Sequence, residues 1–368
     1  MRRKYCMILV VTLLLVVALL LPACAGPAPT PPTPPTPPTP PTPPAPPPFK
    51  GVTLRFAYSM GKNVTISQGW EWWAQELEKR TEGKVKIEFY PNQTLFAMPA
   101  SVDSCIAGVA DISQTSIGSF AQRFPLSNVG SLPTACFPDT VEGHVAADKA
   151  YVTLCEKFPE VAAEWKDVKV LGFYQMLNYI IHSKKAIRVP DDLKGVRIGG
   201  DGLKMEFARL CGAIGVTLTP PEVYMPLQTG VIDAAFLSWS HVEVYHTTEV
   251  TSYFTDYGFG ATSLPIIMNL NSWNALPPDI QKIMMELIPQ SQVVSTKGLI
   301  VNVDVGRKIV RETAGKTTIT LTPDQIKLWQ EKGKPLDDNW LAEMKAKGAK
   351  NPEQVIAEWK RLAAEAWK

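Results

Sequence analysis

The chain has 368 residues, 45% hydrophobic and 20% charged, enough for one large globular body or two lobes of ordinary size. The formal charge is +2, and three of the cations (Arg2, Arg3 and Lys4) stand at the very start, so that the balance without them is three lower, at −1. No basic stripe survives in the remainder, which argues against a nucleic-acid partner.

Residues 1–23 open on those cations and then run apolar from Met7 to Leu21. This is the pattern of a secretory signal, with an apolar segment too short for a comfortable membrane span with flanks. Leu21-Pro22-Ala23-Cys24 follows at once and resembles a bacterial lipobox, in which the peptide is cut before a cysteine whose thiol is diacylated. That resemblance implies lipidation at Cys24. Residues 24–50 form the next unit, dominated by a Pro-Pro-Thr repeat with almost nothing to bury. Proline fixes φ, so the stretch is expected to be an extended polyproline II spacer, about twenty residues at ~3.1 Å each, or roughly 65 Å. A lipid followed by a spacer predicts a globular head held off the extracytoplasmic face of a membrane, periplasmic or at the cell surface. Cys105, Cys136, Cys155 and Cys211 remain in the head, none in a CxxC pair. In an oxidising compartment four cysteines can pair in three ways, and buried free thiols are the alternative.

From Gly51 the pattern alternates between strand and helix. Residues 52–58 (VTLRFAY) alternate as a half-buried strand does, and 65–81 are amphipathic, with Ile66, Trp70, Trp73 and Leu77 on one face. Glu82-Gly83 stops that helix. A strand over 84–90, a helix around 99–107 ended by Gly108, and a short strand over 110–114 follow. Further strands are expected at 168–173, 179–182, 196–198, 216–218, 232–236 and 263–269, with helices at 203–211 and 222–229. After Pro277-Pro278 a long helix is predicted over 279–313, kinked or divided at Pro289, and the tail from Thr322 reads as helical. Two such blocks, with a crossover near 174–178 and a return near 262–268, predict an α/β fold of two lobes around a ligand cleft. The expected division is 51–175 plus 265–368 for lobe I, with the bracing helix and C-terminal helices, and 176–264 for lobe II.

Residues 190–233 read PDDLKGVRIGGDGLKMEFARLCGAIGVTLTPPEVYMPLQTGVID. The ordered pieces Asp192 to Gly195, Cys211 to Ala213, Glu222 to Tyr224 and Leu227 to Asp233 resemble the signature of solute-binding proteins of tripartite ATP-independent periplasmic (TRAP) transporters, the DctP type. Tyr90-Pro91, Gln93 and Leu95, Gly108 and Asp111, and the run from Met268-Asn269 through Trp273 to Leu276-Pro277-Pro278-Asp279-Ile280-Gln281 extend the resemblance over about 52–310. It implies a two-lobed periplasmic-binding-protein-like fold with a long helix bracing both lobes. It also implies a receptor that hands a small organic molecule to two integral membrane subunits of an ion-driven importer.

The family resemblance further implies an arginine clamp for a ligand carboxylate, in the pattern L-K-G-hydrophobic-K-hydrophobic-R. In register, Gly199 occupies the clamp position and Arg197 the preceding lysine, expected to point to the opposite face; a second arginine of one branch falls on Tyr179. The clamp is therefore missing, and the backbone of Gly199-Gly200 is a candidate substitute. A metal-assisted grip, or an uncharged, aromatic or polyol-like ligand, stays open. The remaining candidates are aromatic or hydroxylic: Tyr58 and Ser59 after the first strand, Gln114 and Ser116 after the third, and Phe236 and Trp239 beyond Asp233, with Trp239 a ring for stacking. An enzyme is the rival from another class. His144, His182, His241 and His246 show no metal spacing and no G-x-S-x-G occurs, so no enzyme, metal or cofactor is expected. A ligand-sensing protein reporting to a membrane receptor is the other alternative.

Overall fold

The computed structural model describes residues 49–62 and 65–368. The signal segment, Cys24 and the proline-rich spacer lie outside the described residues. The chain begins with β1 (Val52–Ala57), α1 (Ser67–Arg80), β2 (Val85–Tyr90), α2 (Ser101–Ile106) and β3 (Ile112–Gln114). After a stretch of short 3-10 turns come α3 (Val141–Lys157), α4 (Pro159–Ala163) and β4 (Val168–Gly172). The chain continues with β5 (Ile180–Ser183), β6 (Arg197–Gly200), α5 (Gly202–Leu210), β7 (Ile214–Thr217), α6 (Tyr224–Thr229), β8 (Ala234–Leu237), α7 (His241–Val244) and β9 (Tyr253–Thr255). It ends with β10 (Ile266–Asn269), α8 (Leu270–Asn274), α9 (Pro278–Glu312), β11 (Thr317–Ile319), α10 (Pro323–Ala346) and α11 (Pro352–Ala366).

The local reasons are those of the sequence pattern. In α1, Trp70, Trp73 and Leu77 are buried on one face, and Gly83 closes the helix at φ +76°, its N–H donating to the Glu78 carbonyl at 2.8 Å. Helix α9 starts with proline in its first turn, where no amide donor is needed. It is one continuous helix through Pro289, so the expected division there does not occur. Helix α10 opens on a capping box: Thr322 Oγ1 accepts from the Gln325 N–H and Gln325 Oε1 accepts from the Thr322 N–H.

Two sheets result, ordered β2-β1-β3-β10-β4 and β11-β9-β5-β8-β6-β7. In the first, β1, β2 and β3 are parallel and β10 returns antiparallel between β3 and β4. In the second, β6, β7 and β8 are parallel, with β5 antiparallel to β8. The edge strand β11 lies within 265–368, the segment expected to belong wholly to lobe I, yet it pairs with β9 of the second sheet. The sheets are joined through residues 173–179 and 256–265, which hydrogen-bond to each other. Met176 N–H donates to the Thr262 carbonyl, Tyr179 N–H to the Gly260 carbonyl and Leu264 N–H to the Tyr174 carbonyl.

One helix braces both lobes. At roughly 1.5 Å per residue, α9 runs about 50 Å. Over the first lobe it is gripped by α1: Trp73 Nε1 donates to the Met284 carbonyl, and Ser291 and Ser295 donate to the carbonyls of Gly69 and Ile66. A side chain at Gly69 would meet Ser295 Oγ at 2.1 Å and the Ser291 carbonyl oxygen at 2.2 Å, so only glycine lets the two helices touch. Over the second lobe, Gly306 lies against the Trp239 carbonyl and Arg307 pairs with Asp256 at 3.1 Å. Helix α10 bridges the two as well. Trp329 Nε1 donates to the Arg188 carbonyl beside the second sheet, and Trp340 Nε1 to the Pro125 carbonyl beside the first. The four head cysteines are free thiols, and burial pushes each of them up to about 12.

Candidate functional site

Open α/β sheets bind ligands beyond the carboxyl ends of their parallel strands. A cavity of about 750 Å³ lies in that position. Ser116 reaches it from beyond β3, Asp201 to Lys204 from beyond β6 and Thr217 from the end of β7; Tyr179 and Gly260 to Thr262 bring in the two crossing segments. Its volume is within the ~300–1,000 Å³ range of small-molecule sites. A larger cavity of about 1070 Å³ lies between the C-terminal helices, residues 134–139 and Tyr257-Gly258. None of the residues expected from the sequence lines it, and it lies beyond the ends of the short strands β9 and β11, apart from those of β3, β6 and β7.

Of the eight expected head residues, Ser116 and Tyr179 line the smaller cavity. Ser116 is 6% exposed, and its hydroxyl accepts from the Ser119 N–H at 3.3 Å. Tyr179 is half-buried, its phenol pushed up to about 12 by burial and, secondarily, by Asp201, so the ring stays neutral. Ser59 and Gln114 tie strand ends together instead: Gln114 Oε1 accepts from both the N–H and the hydroxyl of Ser59, at 3.2 and 2.9 Å. Gln114 Nε2 donates to the Thr115 carbonyl at 2.7 Å, so the side chain is fully engaged next to the cavity wall.

The other four are core residues, and the expectation for them is corrected. Tyr58 is 2% exposed within an aromatic cluster, edge-on to Trp70 at 5.4 Å and Phe56 at 5.7 Å. Phe236 is 1% exposed and packs edge-on to Phe259 at 5.5 Å. Trp239 is fully buried under α9: its ring stacks on Phe254 at 6.0 Å, Arg307 lies over it at 5.5 Å, and its Nε1 donates to Asp256 Oδ1 at 2.8 Å. Gly199 faces Ile232 and Leu218, whose methyls would lie 2.9 and 3.1 Å from an added Cβ. Gly200 likewise faces Met205 and Phe236. The two glycines make room for hydrophobic packing.

The expected opposition of Arg197 and Gly199 also fails. Residues two apart in a strand share a face. Arg197 nevertheless leaves that face at its edge and grips Asp233 bidentately, Nε to Oδ2 at 2.9 Å and Nη2 to Oδ1 at 2.8 Å. The guanidinium is the first cause holding the Asp233 carboxyl below its ordinary value. Arg197 thus fastens β6 to the start of β8 and does not line the cavity.

Several cavity residues escaped the sequence reading. Asn128 and Ser131 come from the 3-10 turns after β3, and both carry a buried side-chain oxygen with no protein partner among the described residues. Lys204 comes from the first turn of α5, where the sequence offered only a cation close behind Gly199-Gly200. Among the described residues no cluster of histidine, cysteine or carboxylate side chains is disposed to hold a metal. No described helix is long and apolar enough to cross a membrane.

The model of a family described as "Bacterial extracellular solute-binding protein, family 7" (DctP) matches residues 56–361. The chain is 25% identical over 237 residues to a 2,3-diketo-L-gulonate-binding periplasmic protein of Escherichia coli, covering 63% of this chain and 70% of that one. It is 23% identical over 290 residues to a C4-dicarboxylate-binding periplasmic protein of Rhodobacter capsulatus, covering 78% and 86%. Among solved structures, a TRAP periplasmic solute-binding protein from Desulfovibrio salexigens superposes with a TM-score of 0.77 at 27% identity, over 85% of this chain and 96% of that one.

Proposed function

The chain belongs to the bacterial extracellular solute-binding proteins of family 7, and from that premise we propose that its 750 Å³ cavity captures a small organic acid. The chain is an extracytoplasmic solute receptor of the TRAP type, not an enzyme, and works with membrane transporter subunits. The observation that carries the site assignment is the meeting of Ser116 and Tyr179, from the first sheet and the crossing segment, in one cavity beyond the strand ends. Ser59 and Gln114 fix the strand ends behind it. The acid character of the ligand is supported by the two curated relatives, named for a keto sugar acid and for C4-dicarboxylates. We assign 51–175 with 265–368 to lobe I, less the strand lent at 317–319, and 176–264 to lobe II.

The purified protein is expected to bind one acid per chain, with melting raised as the logarithm of ligand concentration: ligand at 100 times Kd is worth about 2.7 kcal/mol. A thermal-shift panel of hydroxy acids, sugar acids, aromatic acids and dicarboxylates, followed by calorimetry, measures this. A folded protein that responds to none of them would sink the reading.

The finer placement is a lipid anchor. The basic start, apolar run and Leu21-Pro22-Ala23-Cys24 support diacylation of Cys24, with residues 26–48 as the spacer.

A further inference from the structure

The arginine that the family resemblance implies is missing from the cavity: Gly199 and Tyr179 stand at the two clamp positions, and Arg197 is committed to Asp233. A cation enters from a different element. Lys204 lies in the first turn of α5, its side chain 15% exposed, with Nζ 2.9 Å from Asp201 Oδ1 and 4.0 Å from the centre of the Tyr179 ring. Its stem passes Gly260, where an added Cβ would lie 3.9 Å from Lys204 Cγ and 3.2 Å from the Ser131 carbonyl oxygen. The φ of +107° at Gly260 also excludes a side chain there. The ammonium is thus brought from the second sheet to the crossing strand and to the turns beside the first sheet.

Two features around Lys204 point to an anion, and a third to the hydroxyl donors it would carry. An ammonium has three donors, and the half-exposed Asp201 carboxylate engages it from one side. Asp201 makes no side-chain cap on α5, so the first-turn amides of this nine-residue helix add partial positive charge on the same wall. Asn128 is 9% exposed, and its Oδ1, with Ser131 Oγ, has no protein partner among the described residues, although both side chains line this cavity. The lining also sets the ligand's charge. Lys204 and Arg209 face Asp201 and Glu206, and Glu343 is paired with Lys347 at 2.8 Å, so the wall is balanced and holds no surplus cation for a second carboxylate. Ser116, Ser119, Thr217 and Thr262 make the rest of the lining hydroxylic.

We propose that Lys204, seated on Tyr179, is the anion-binding residue in place of the missing arginine, and that the ligand is a hydroxylated monocarboxylate. Its carboxylate meets Lys204 and the α5 amides; its hydroxyls meet Asn128 and Ser131. This rests on the cavity being the ligand site, as read above.

The test is calorimetric titration of the full chain with D-gluconate, glycolate and (R)-mandelate, with benzoate and succinate for comparison. Wild type is expected to bind at least one of the three hydroxy acids. Lys204→Met should weaken that binding by about 10- to 100-fold, the range of one charge-assisted contact. Lys204→Arg should restore most of it, and Arg197→Met, outside the cavity, should leave it unchanged. Melting curves without ligand check that each variant is folded; if Lys204→Met is not, Lys204→Gln replaces it. Undiminished binding by a folded Lys204→Met or Lys204→Gln protein overturns the role of Lys204. Wild type that binds benzoate or succinate but no hydroxy acid overturns the ligand class while the solute-receptor reading stands. Failure with every acid overturns both.

Discussion

At the scale of single residues, the same side chain can be placed correctly in sequence and still face the wrong way. Trp239 sits where a binding ring was expected, but a buried indole needs a partner for its N–H and a flat neighbour for its face, and Asp256 and Phe254 supply both beneath α9. Trp239→Ala is therefore expected to cost about 3–5 kcal/mol in urea denaturation. It should leave the affinity of the refolded, folded fraction for its acid unaltered; a selective loss of affinity at unchanged stability would return Trp239 to the binding wall. The absence of an arginine at position 199 was legible, because the Asp192 to Gly195 turn pins the register. The substitute was not. Alternation says which face a strand residue takes, but Lys204 follows the strand, and its direction depends on how α5 leaves β6. Asn128 and Ser131 were silent for another reason: 3-10 turns leave no period in the sequence.

At the scale of elements, the strands and helices with a clear period lie within a few residues of where the sequence puts them, from β1 to α9. The seventeen-residue helix α3, whose buried face carries a glycine, a histidine and an aspartate, was missed, as were the short pieces. The strands β9 and β11 have three residues each and owe their existence to their partners, with no pattern of their own. Strand β5 and helix α7 also carry a pH dependence. His182 is fully buried, with Nδ1 3.0 Å from the Thr247 hydroxyl and its ring edge-on to Phe254. His241 Nδ1 accepts from the Ser238 N–H at 3.0 Å, which requires that nitrogen to be unprotonated. Burial is the first cause that lowers both rings, His241 to about 4 and His182 well below its ordinary value, with His241 a secondary cause for His182. The unfolded chain binds these protons near pH 6.5 and the folded chain resists them. Their contribution is thus complete above about 6.5 and is lost as pH falls, by roughly 3 kcal/mol for His241 at its lower limit. Scanning calorimetry between pH 7.5 and 4.5 should show the melting temperature falling, with a shallower fall in His241→Gln. An identical slope in that variant would discard the assignment. The carboxylates Asp111 and Asp233, already held low, act in a more acid window.

At the scale of the whole molecule, the head is fastened to a leader with a very different composition. If Cys24 carries the lipid, Cys24→Ala should move the protein from the membrane fraction to the soluble fraction without changing the melting temperature of the head, and should abolish incorporation of labelled palmitate. Membrane association and labelling that persist in this variant would discard the anchor. The two-lobed division was legible because the pattern repeats on either side of two crossing segments; the loan of β11 to the second sheet was not, since the strand enters after a helix that touches both lobes.

That helix has a mechanical consequence. Bonded to the first lobe through Met284, Ser291 and Ser295, and held to the second by the close approach at Gly306 and the Arg307 ion pair, α9 is a stiff bar whose ends cannot draw together without breaking its own ladder. A rotation of one lobe against the other that leaves the bar straight must have its axis close beside it. Displacement then grows with distance from the axis, as it does along a pair of tongs. The jaws' outer rim travels furthest, so a small rotation beside the bar becomes a far larger movement at the surface most distant from it.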